Sequence, residues 1–124
     1  MKLTSGGFQQ GARIVARYTV EGQDVSPPLS WSDMPDGTKS FALICDDPDA
    51  PSAQRPAVEP WGHWVIFNIR SDRDGLPAGV DRAPEPKDVD GARQGKNSWP
   101  RDNIGYRGPA PPPGSGPHRY FFKL

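Results

Sequence analysis

The apolar residues of this chain recur with a period of two, which is typical of β-strands, and no segment shows the spacing of an amphipathic helix. Residues 38–46 and 61–69 give the strongest predicted strands. In the first, Leu43 and Ile44 place apolar groups on both faces, which predicts a strand buried on both sides. In the second strand, the odd-numbered residues are predicted to share one face, and His63 lies on that face among large apolar side chains.

Three shorter strands are predicted around these two. Residues 13–20 are rich in β-branched and aromatic side chains and end at a turn-like group. Residues 29–31 follow two prolines that block a helix. Residues 119–124 are largely aromatic and apolar, and the period of two places His118 and Tyr120 on one face. An imidazole and a phenol are therefore expected to share a surface.

The rest of the chain is predicted to be loop. Residues 52–60 and 70–117 show no convincing periodicity. The polar part at 71–90 is expected to be the looser and has too few apolar residues to pack as a lid, whereas the prolines and glycines of 106–120 predict an ordered loop. Together these features predict an all-β fold of face-to-face antiparallel sheets, a β-sandwich with long loops rich in proline and glycine.

Composition and charge narrow the class of protein. The chain has 14 Gly and 16 Pro, yet its 4 Trp and 5 Phe supply the apolar mass of a folded domain, which we expect to span residues 1–124. Lys plus Arg balance Asp plus Glu at 15 each, which argues against a nucleic-acid or anionic membrane surface. Cys45 is the only cysteine, so no intramolecular disulfide forms. Without an apolar run for a signal peptide or a membrane span, a cytoplasmic protein is expected.

Candidate chemistry lies at the ends of the predicted strands. Asp47 and Asp49 follow the first strong strand, His63 lies on the second, and His118 and Tyr120 lie on the last. Taken singly, such residues are usually turn formers or satisfied core side chains. Ionisable residues on three strands are better explained by one concave site. Imidazole N–H groups, a phenol and loop N–H groups are donors suited to phosphate oxygens.

At this point the sequence resembles the phosphatidylethanolamine-binding protein family, in particular its bacterial Raf kinase inhibitor-like branch. The resemblance covers residues 11–124 and implies a large antiparallel sheet, a smaller second sheet and a compact anion pocket. Neither a metal nor an organic cofactor is typical of the family. Its motifs here are Asp24-Val25-Ser26-Pro27-Pro28-Leu29 with Trp31, Asp47-Pro48-Asp49-Ala50-Pro51, His63-Trp64 with Asn68-Ile69, and Gly105-Tyr106-Arg107-Gly108-Pro109 through His118-Arg119-Tyr120.

The resemblance also implies roles for individual residues. A cis peptide bond is expected between Ala50 and Pro51. Independently of the resemblance, the alternation of the last strand points Arg119 away from the His118 face, where an ion pair with Asp49 is expected. Residues expected to support the site structurally are Asp49, Pro51, Tyr106 and Arg119. Residues expected to line the anion pocket are Asp47, Trp61, His63, Gly108, Ala110, His118 and Tyr120.

The function implied is non-catalytic binding of phosphate-like anions, either phosphoethanolamine-type head groups or phosphorylated protein partners, with a regulatory role like that of kinase or protease inhibitors. A carboxylate at Asp47 would repel such an anion unless it is protonated, holds a histidine in its charged form, or receives an ammonium group of the ligand. The alternative is a phosphoester hydrolase or metal-dependent enzyme using His63, His118 and Asp47. A remnant that no longer binds is a third possibility.

The C-terminus departs from the family pattern. Family members continue beyond the last strand with a further segment and a C-terminal helix beside the pocket, whereas this sequence stops at Leu124. We therefore expect a C-terminally shortened domain without that helix. Uncovered apolar surface and an open strand edge would favour self-association, in the simplest case a homodimer.

Overall fold

A computed structural model describes residues 1–52, 55–114 and 116–124 of the chain, and only the backbone of residues 55 and 56. Within these ranges the secondary structure is almost entirely strand, with one turn of 3-10 helix at Ala16–Tyr18. The strands are β1 (Lys2–Thr4), β2 (Leu29–Ser32), β3 (Ser40–Asp47), β4 (Pro51–Ser52), β5 (Arg55–Pro56), β6 (Trp61–Arg70), β7 (Gly75–Leu76), β8 (Arg93–Gln94) and β9 (Phe121–Lys123).

All strand pairings are antiparallel. The large sheet has the order β8-β6-β3-β9, the small sheet has the order β1-β2-β7, and β4 and β5 form a two-stranded ribbon. β9 pairs with β3, and β6 lies on the other side of β3. The end of the chain is therefore brought close to the two central strands, although it is distant from them in sequence. The predicted all-β fold with a large and a small sheet is confirmed.

The core lies between the two sheets. Trp31 of the small sheet contacts Phe41 of the large sheet, with ring centroids 5.2 Å apart. Aromatic pairs at this separation stabilise the fold beyond the contribution of the apolar area that they bury. Phe122 and Leu124 pack against this core from the end of the chain. The buried apolar residues are Leu29, Trp31, Phe41, Leu43, Cys45, Trp64, Ile66, Ile69, Leu76, Val80, Val89, Ala92 and Tyr106.

The outer face of the large sheet is exposed. Ile44 is 43% exposed, Phe67 is 40% exposed and Phe121 is 41% exposed. The prediction that the first strong strand is buried on both sides is therefore wrong. Its inner residue Leu43 is fully buried, but within the described residues no layer covers the opposite face.

A β-bulge places His63 in the sheet. Cys45 pairs with Trp64 and Asp46 pairs with Gly62, so one residue of β6, His63, has no counterpart in β3. A bulge of this kind sets two residues of one strand against one of its partner and turns the local side chains. As a result His63 and Trp64 are adjacent in sequence and both buried.

A second irregularity in β6 changes the alternation again. Leu43 pairs with Ile66 and Phe41 pairs with Ile69, which leaves one extra residue between the two pairs. Asn68 there has a φ of 56°. Consequently the odd-numbered residues of β6 do not share one face, although the simple alternation predicted that they would.

The predicted strand at 13–20 is wrong. This segment contains the 3-10 helix Ala16–Tyr18 and pairs with no strand. Tyr18 is buried, whereas Val15 and Val20 are exposed at 46% and 38%. The β-branched residues favour a strand only where a neighbouring strand can accept their backbone hydrogen bonds, and none is available here.

The segment at 71–90 packs more closely than its polarity predicted. Leu76, Val80 and Val89 are buried in the core. The N–H of Val80 donates to the Ser26 hydroxyl over 2.9 Å. The expected loop character is therefore right for most of the segment, but three of its apolar residues pack in the core, so the expectation that this part is the looser one is wrong.

Two other predicted loops fall partly outside the described residues. Residues 53 and 54 of the predicted 52–60 loop are among those not described, and the residues on either side form the β4-β5 ribbon. Ser115 of the predicted 106–120 loop is likewise outside the described residues. The peptide bond between Ala50 and Pro51 is cis.

Candidate functional site

Asp47 and His118 form a buried pair at the end of the large sheet. Asp47 is the last residue of β3, and its Oδ2 lies 2.6 Å from Nδ1 of His118. The side chains are only 4% and 1% exposed. Because an ionised carboxylate accepts hydrogen bonds, Nδ1 of His118 carries the hydrogen. The other carboxylate oxygen accepts the Asp49 N–H over 2.7 Å, so both oxygens of Asp47 are used within the protein.

His63 is fixed by the chain that crosses beside β6. Its Nδ1 lies 2.7 Å from the Arg107 carbonyl oxygen, and the Arg107 N–H donates to the His63 carbonyl over 3.0 Å. A carbonyl only accepts, so Nδ1 of His63 is the donor. Burial lowers the pKa of His63, and this effect outweighs the raising effects of the Arg107 carbonyl and nearby carboxylates. The imidazole is therefore held in one orientation and in its neutral form near pH 7.

Tyr120 lies between the two histidines. Its ring centroid is 5.3 Å from that of His63, edge to face, and 6.4 Å from that of His118, nearly parallel. Burial, followed by the charge of Asp47, raises the pKa of the Tyr120 hydroxyl, which remains a donor. Asp47, His63, His118 and Tyr120, four of the residues predicted to line a pocket, are thus brought together.

Two indoles form an aromatic rim beside His63. Trp61 is 39% exposed, and its ring centroid lies 5.4 Å from that of Trp99. Trp99 in turn lies 5.0 Å from the His63 ring. Trp99 is held by its own N–H, which donates to the Asn97 side-chain oxygen over 3.0 Å. Trp61 was predicted at the site, whereas Trp99 was not, because it lies in a loop without periodicity.

Gly108 and Ala110, which the resemblance also implies at the pocket, follow Arg107 in the chain. The N–H of Gly108 donates to Oδ1 of Asp24 over 2.7 Å, and Gly108 is buried. The N–H of Gly108 is therefore used within the protein. Ala110 is exposed.

Asp24 anchors the loop that holds His63. Besides accepting the Gly108 N–H, its carboxylate lies 3.2 Å from Arg82 and 3.5 Å from Nε of Arg107. Arg82 also donates to the Asp24 carbonyl. One carboxylate thus ties three chain segments together. The sequence pattern indicated only a turn at this position.

The residues predicted to support the site have structural contacts. Arg119 and Asp49 form the expected ion pair, with two side-chain contacts of 2.9 Å and 3.0 Å, and the Arg119 N–H also donates to Asp49 over 2.7 Å. The Tyr106 hydroxyl donates to the Tyr18 carbonyl over 2.6 Å. Pro51 lies exposed in β4. The ion-pair prediction is confirmed.

The ion pair between Asp49 and Arg119 should affect how the unfolding free energy changes at acid pH. Hydrogen bonds from the Arg119 side chain and backbone lower the pKa of Asp49 to about 2. A carboxyl whose pKa is lower in the folded state stabilises the fold above its unfolded pKa and loses that contribution as the pH falls towards its folded pKa. We expect Asp49→Asn to flatten the fall in unfolding free energy between about pH 4 and pH 2, measured by urea unfolding. Asp36→Asn, in an exposed turn, should keep the wild-type slope; equal slopes in all three proteins would contradict the assignment.

Among the described residues, no group of three or more His, Cys, Asp or Glu side chains is arranged to hold a metal ion. Two open grooves, of about 450 and 410 Å³, lie along the 83–93 segment beside Phe67 and Asn68. Neither groove contains a predicted site residue. The candidate site is therefore identified from the side chains that cluster there, and not from either groove.

Comparison with known families gives one match over nearly the whole chain. The family model described as phosphatidylethanolamine-binding protein matches residues 4–124. A UPF0098 protein of Methanothermobacter thermautotrophicus is 50% identical over 124 residues, and the match covers 100% of this chain and 74% of that protein. A UPF0098 protein of Aquifex aeolicus is 44% identical, and the match covers 100% of this chain and 66% of that protein.

Solved structures give the same picture. The crystal structure of Escherichia coli YbcL, described as a new member of the mammalian PEBP family, matches with a TM-score of 0.83 and 34% identity. The match covers 98% of this chain and 73% of YbcL. A putative phosphatidylethanolamine-binding protein homologue from Chlamydia trachomatis, CT736, matches with a TM-score of 0.78 and 38% identity, covering 97% of this chain and 70% of that one.

These relatives are longer than the chain, which spans between 66% and 74% of their lengths. The described residues contain no helix with the length and apolar character needed to cross a membrane.

Proposed function

Since this chain belongs to the phosphatidylethanolamine-binding protein family, we propose that it binds phosphate-like anions, without catalysing a reaction, through His63, His118 and Tyr120. The observation that carries the proposal is the convergence of two imidazoles and one phenol on the same end of the large sheet. The Tyr120 hydroxyl and the imidazole nitrogens can form hydrogen bonds with a phosphate, and the partly buried setting strengthens each contact.

The position of Asp47 supports the same proposal. A carboxylate in an anion site would ordinarily repel the ligand. Here its two oxygens accept hydrogen bonds from His118 and from the Asp49 N–H, so the negative charge is directed into the protein. His118 then lies between Asp47 and the ligand. This arrangement makes Asp47 a support for the imidazole and not a direct ligand of the anion.

The ligand class follows from the site and from the family. Phosphoethanolamine-type head groups and phosphorylated protein segments both present a phosphate on a small stem, and the Trp61 and Trp99 rim would contact the stem. Binding of a phosphorylated partner would give the regulatory, inhibitor-like role expected from the sequence. The cytoplasmic location and the homodimer stay predictions.

Calorimetric titration with inorganic phosphate and phosphoethanolamine tests the proposal. His118→Ala should weaken binding by about 1 to 3 kcal/mol, the scale for losing a hydrogen bond to a charged group. Phe67→Ala, on the outer face of the same sheet, should bind as the wild type does. Unchanged affinity in His118→Ala would remove this residue from the site, and no heat from folded wild-type protein would indicate a remnant that no longer binds.

The same protein samples test the alternative of an enzyme. Release of inorganic phosphate from phosphoethanolamine, lost in His63→Ala, would support a hydrolase. We expect no release above the buffer control, because the described part of the site shows no activated nucleophile: Cys45 is buried and burial raises the pKa of its thiol.

A further inference from the structure

We propose that the site takes its anion together with a proton located between a ligand oxygen and Nε2 of His63, and that it therefore selects phosphate and phosphomonoesters over sulfate. The inference rests on the proposed anion binding and specifies which anions are accepted. It makes His63 the residue that determines specificity.

The first step is the tautomer of His63. Nδ1 lies 2.7 Å from the Arg107 carbonyl oxygen, which can only accept a hydrogen bond. In a neutral imidazole, a hydrogen on Nδ1 leaves a lone pair on Nε2. Among the described residues, Nε2 of His63 has no hydrogen-bond partner. The ring therefore presents an acceptor, not a donor, to a ligand.

The second step is that the ring cannot easily flip about its Cβ–Cγ bond. The Arg107 N–H donates to the His63 carbonyl over 3.0 Å, so His63 and Arg107 are joined by a backbone hydrogen bond as well as by the bond to the ring. The next residue, Gly108, is bound to Asp24. A flipped ring would leave the Arg107 carbonyl without its donor in a buried setting, which costs free energy.

The third step is the charge state of His63. Three carboxylates favour its protonated form, but burial outweighs them and lowers the pKa of His63. Tyr120 faces the ring as a neutral phenol, and Trp99 faces it with no titratable group. The ring is neutral at pH 7 to 8. The charged or titratable groups that face or influence it are Asp24, Asp46, Asp47, Arg107, His118 and Tyr120.

The chemistry of the anion then decides whether it fits. A fully ionised oxygen has no hydrogen and would meet the lone pair of Nε2 directly. Inorganic phosphate at neutral pH retains a hydroxyl that can donate to Nε2, while its other oxygens accept from the remaining donors of the site. A phosphomonoester, whose second pKa is about 6, can regain such a proton. Sulfate has the same shape and charge but no proton to supply.

A competition between two isosteric anions tests the inference. At pH 7.5 and constant ionic strength, sulfate should bind wild-type protein at least about tenfold more weakly than inorganic phosphate, a difference of roughly 1.4 kcal/mol. His63→Gln replaces the acceptor by an amide that can donate, so the ratio of the two dissociation constants should fall towards one. His118→Gln should weaken both anions and keep the preference for phosphate.

Proton uptake in the wild type provides a measurement that does not depend on a variant folding. At pH 8, titration in buffers of different ionisation enthalpy should show that phosphoethanolamine takes up about one more proton than inorganic phosphate, which already carries one. Equal proton uptake, or equal affinity for phosphate and sulfate, would overturn this inference and leave anion binding intact. No binding of either anion by folded protein would overturn both proposals.

Discussion

Gly108→Ala is expected to destabilise the folded chain by about 3 kcal/mol, the upper end of the usual cost of overpacking. A Cβ at this position would lie 2.2 Å from the Tyr18 carbonyl oxygen, 2.8 Å from Oδ1 of Asp24 and 2.9 Å from Cα of Thr19. Two of these neighbours are backbone atoms, and the third accepts the Gly108 N–H, so none can move away cheaply. The 108 segment must therefore shift as a whole.

Urea unfolding of the variant and of Gly6→Ala measures this effect. A Cβ on Gly6 would meet nothing within 4 Å, and Gly6 has no positive φ, so this control should unfold close to the wild-type midpoint. Since the shifted segment includes the Arg107 carbonyl that orients His63, any Gly108→Ala protein that remains folded should also bind phosphate more weakly. Equal midpoints for the two variants would show that the loop accommodates a methyl group.

The strands of the large sheet were predictable because their pattern is local. Residues such as Leu43 and Cys45 alternate with more polar neighbours over a full strand, and the alternation directly reports the inner face. The pattern cannot report what covers the other face. Ile44 was therefore predicted to be buried although it is exposed, because the alternation of a strand does not show whether other structure covers its outer face.

The bulge at His63 shows a second limit. A single extra residue reverses the alternation for the rest of a strand, yet it leaves no composition signal. His63 was correctly predicted to lie among apolar groups, but its neighbours were not. It is buried beside Trp64, and Phe67 faces away from both.

The residues that hold the site in place were the least predictable. Asp24 reaches Gly108 across 84 positions of the chain, and Trp99 contacts Trp61 and His63 from a loop without periodicity. Contacts of this kind depend on the completed fold, which local propensities do not encode. The four clustered residues could be predicted because their chemistry is unusual at strand ends and because their motifs resemble a family.

Asp24→Asn is the second large effect expected. The substitution keeps an oxygen for the Gly108 N–H but removes the negative charge that lies 3.2 Å from Arg82 and 3.5 Å from Arg107. Removing one partner of a buried ion pair costs about 3 to 5 kcal/mol. The two arginine side chains are 41% and 29% exposed and keep part of their hydration, so we expect a smaller loss of about 2 to 4 kcal/mol.

Asp72→Asn is the matched control for this prediction. Asp72 pairs with Arg70 at 2.7 Å, a shorter distance than either contact of Asp24, but both side chains are more than half exposed, at 63% and 56%. If distance alone decided the contribution, Asp72→Asn would be the more harmful change. Because water screens exposed pairs, Asp72→Asn should instead cost clearly less unfolding free energy than Asp24→Asn. Urea unfolding at low and high salt separates the two explanations: a larger loss for Asp72→Asn, or equal losses, would mean that Asp24 does not anchor the loop that holds His63.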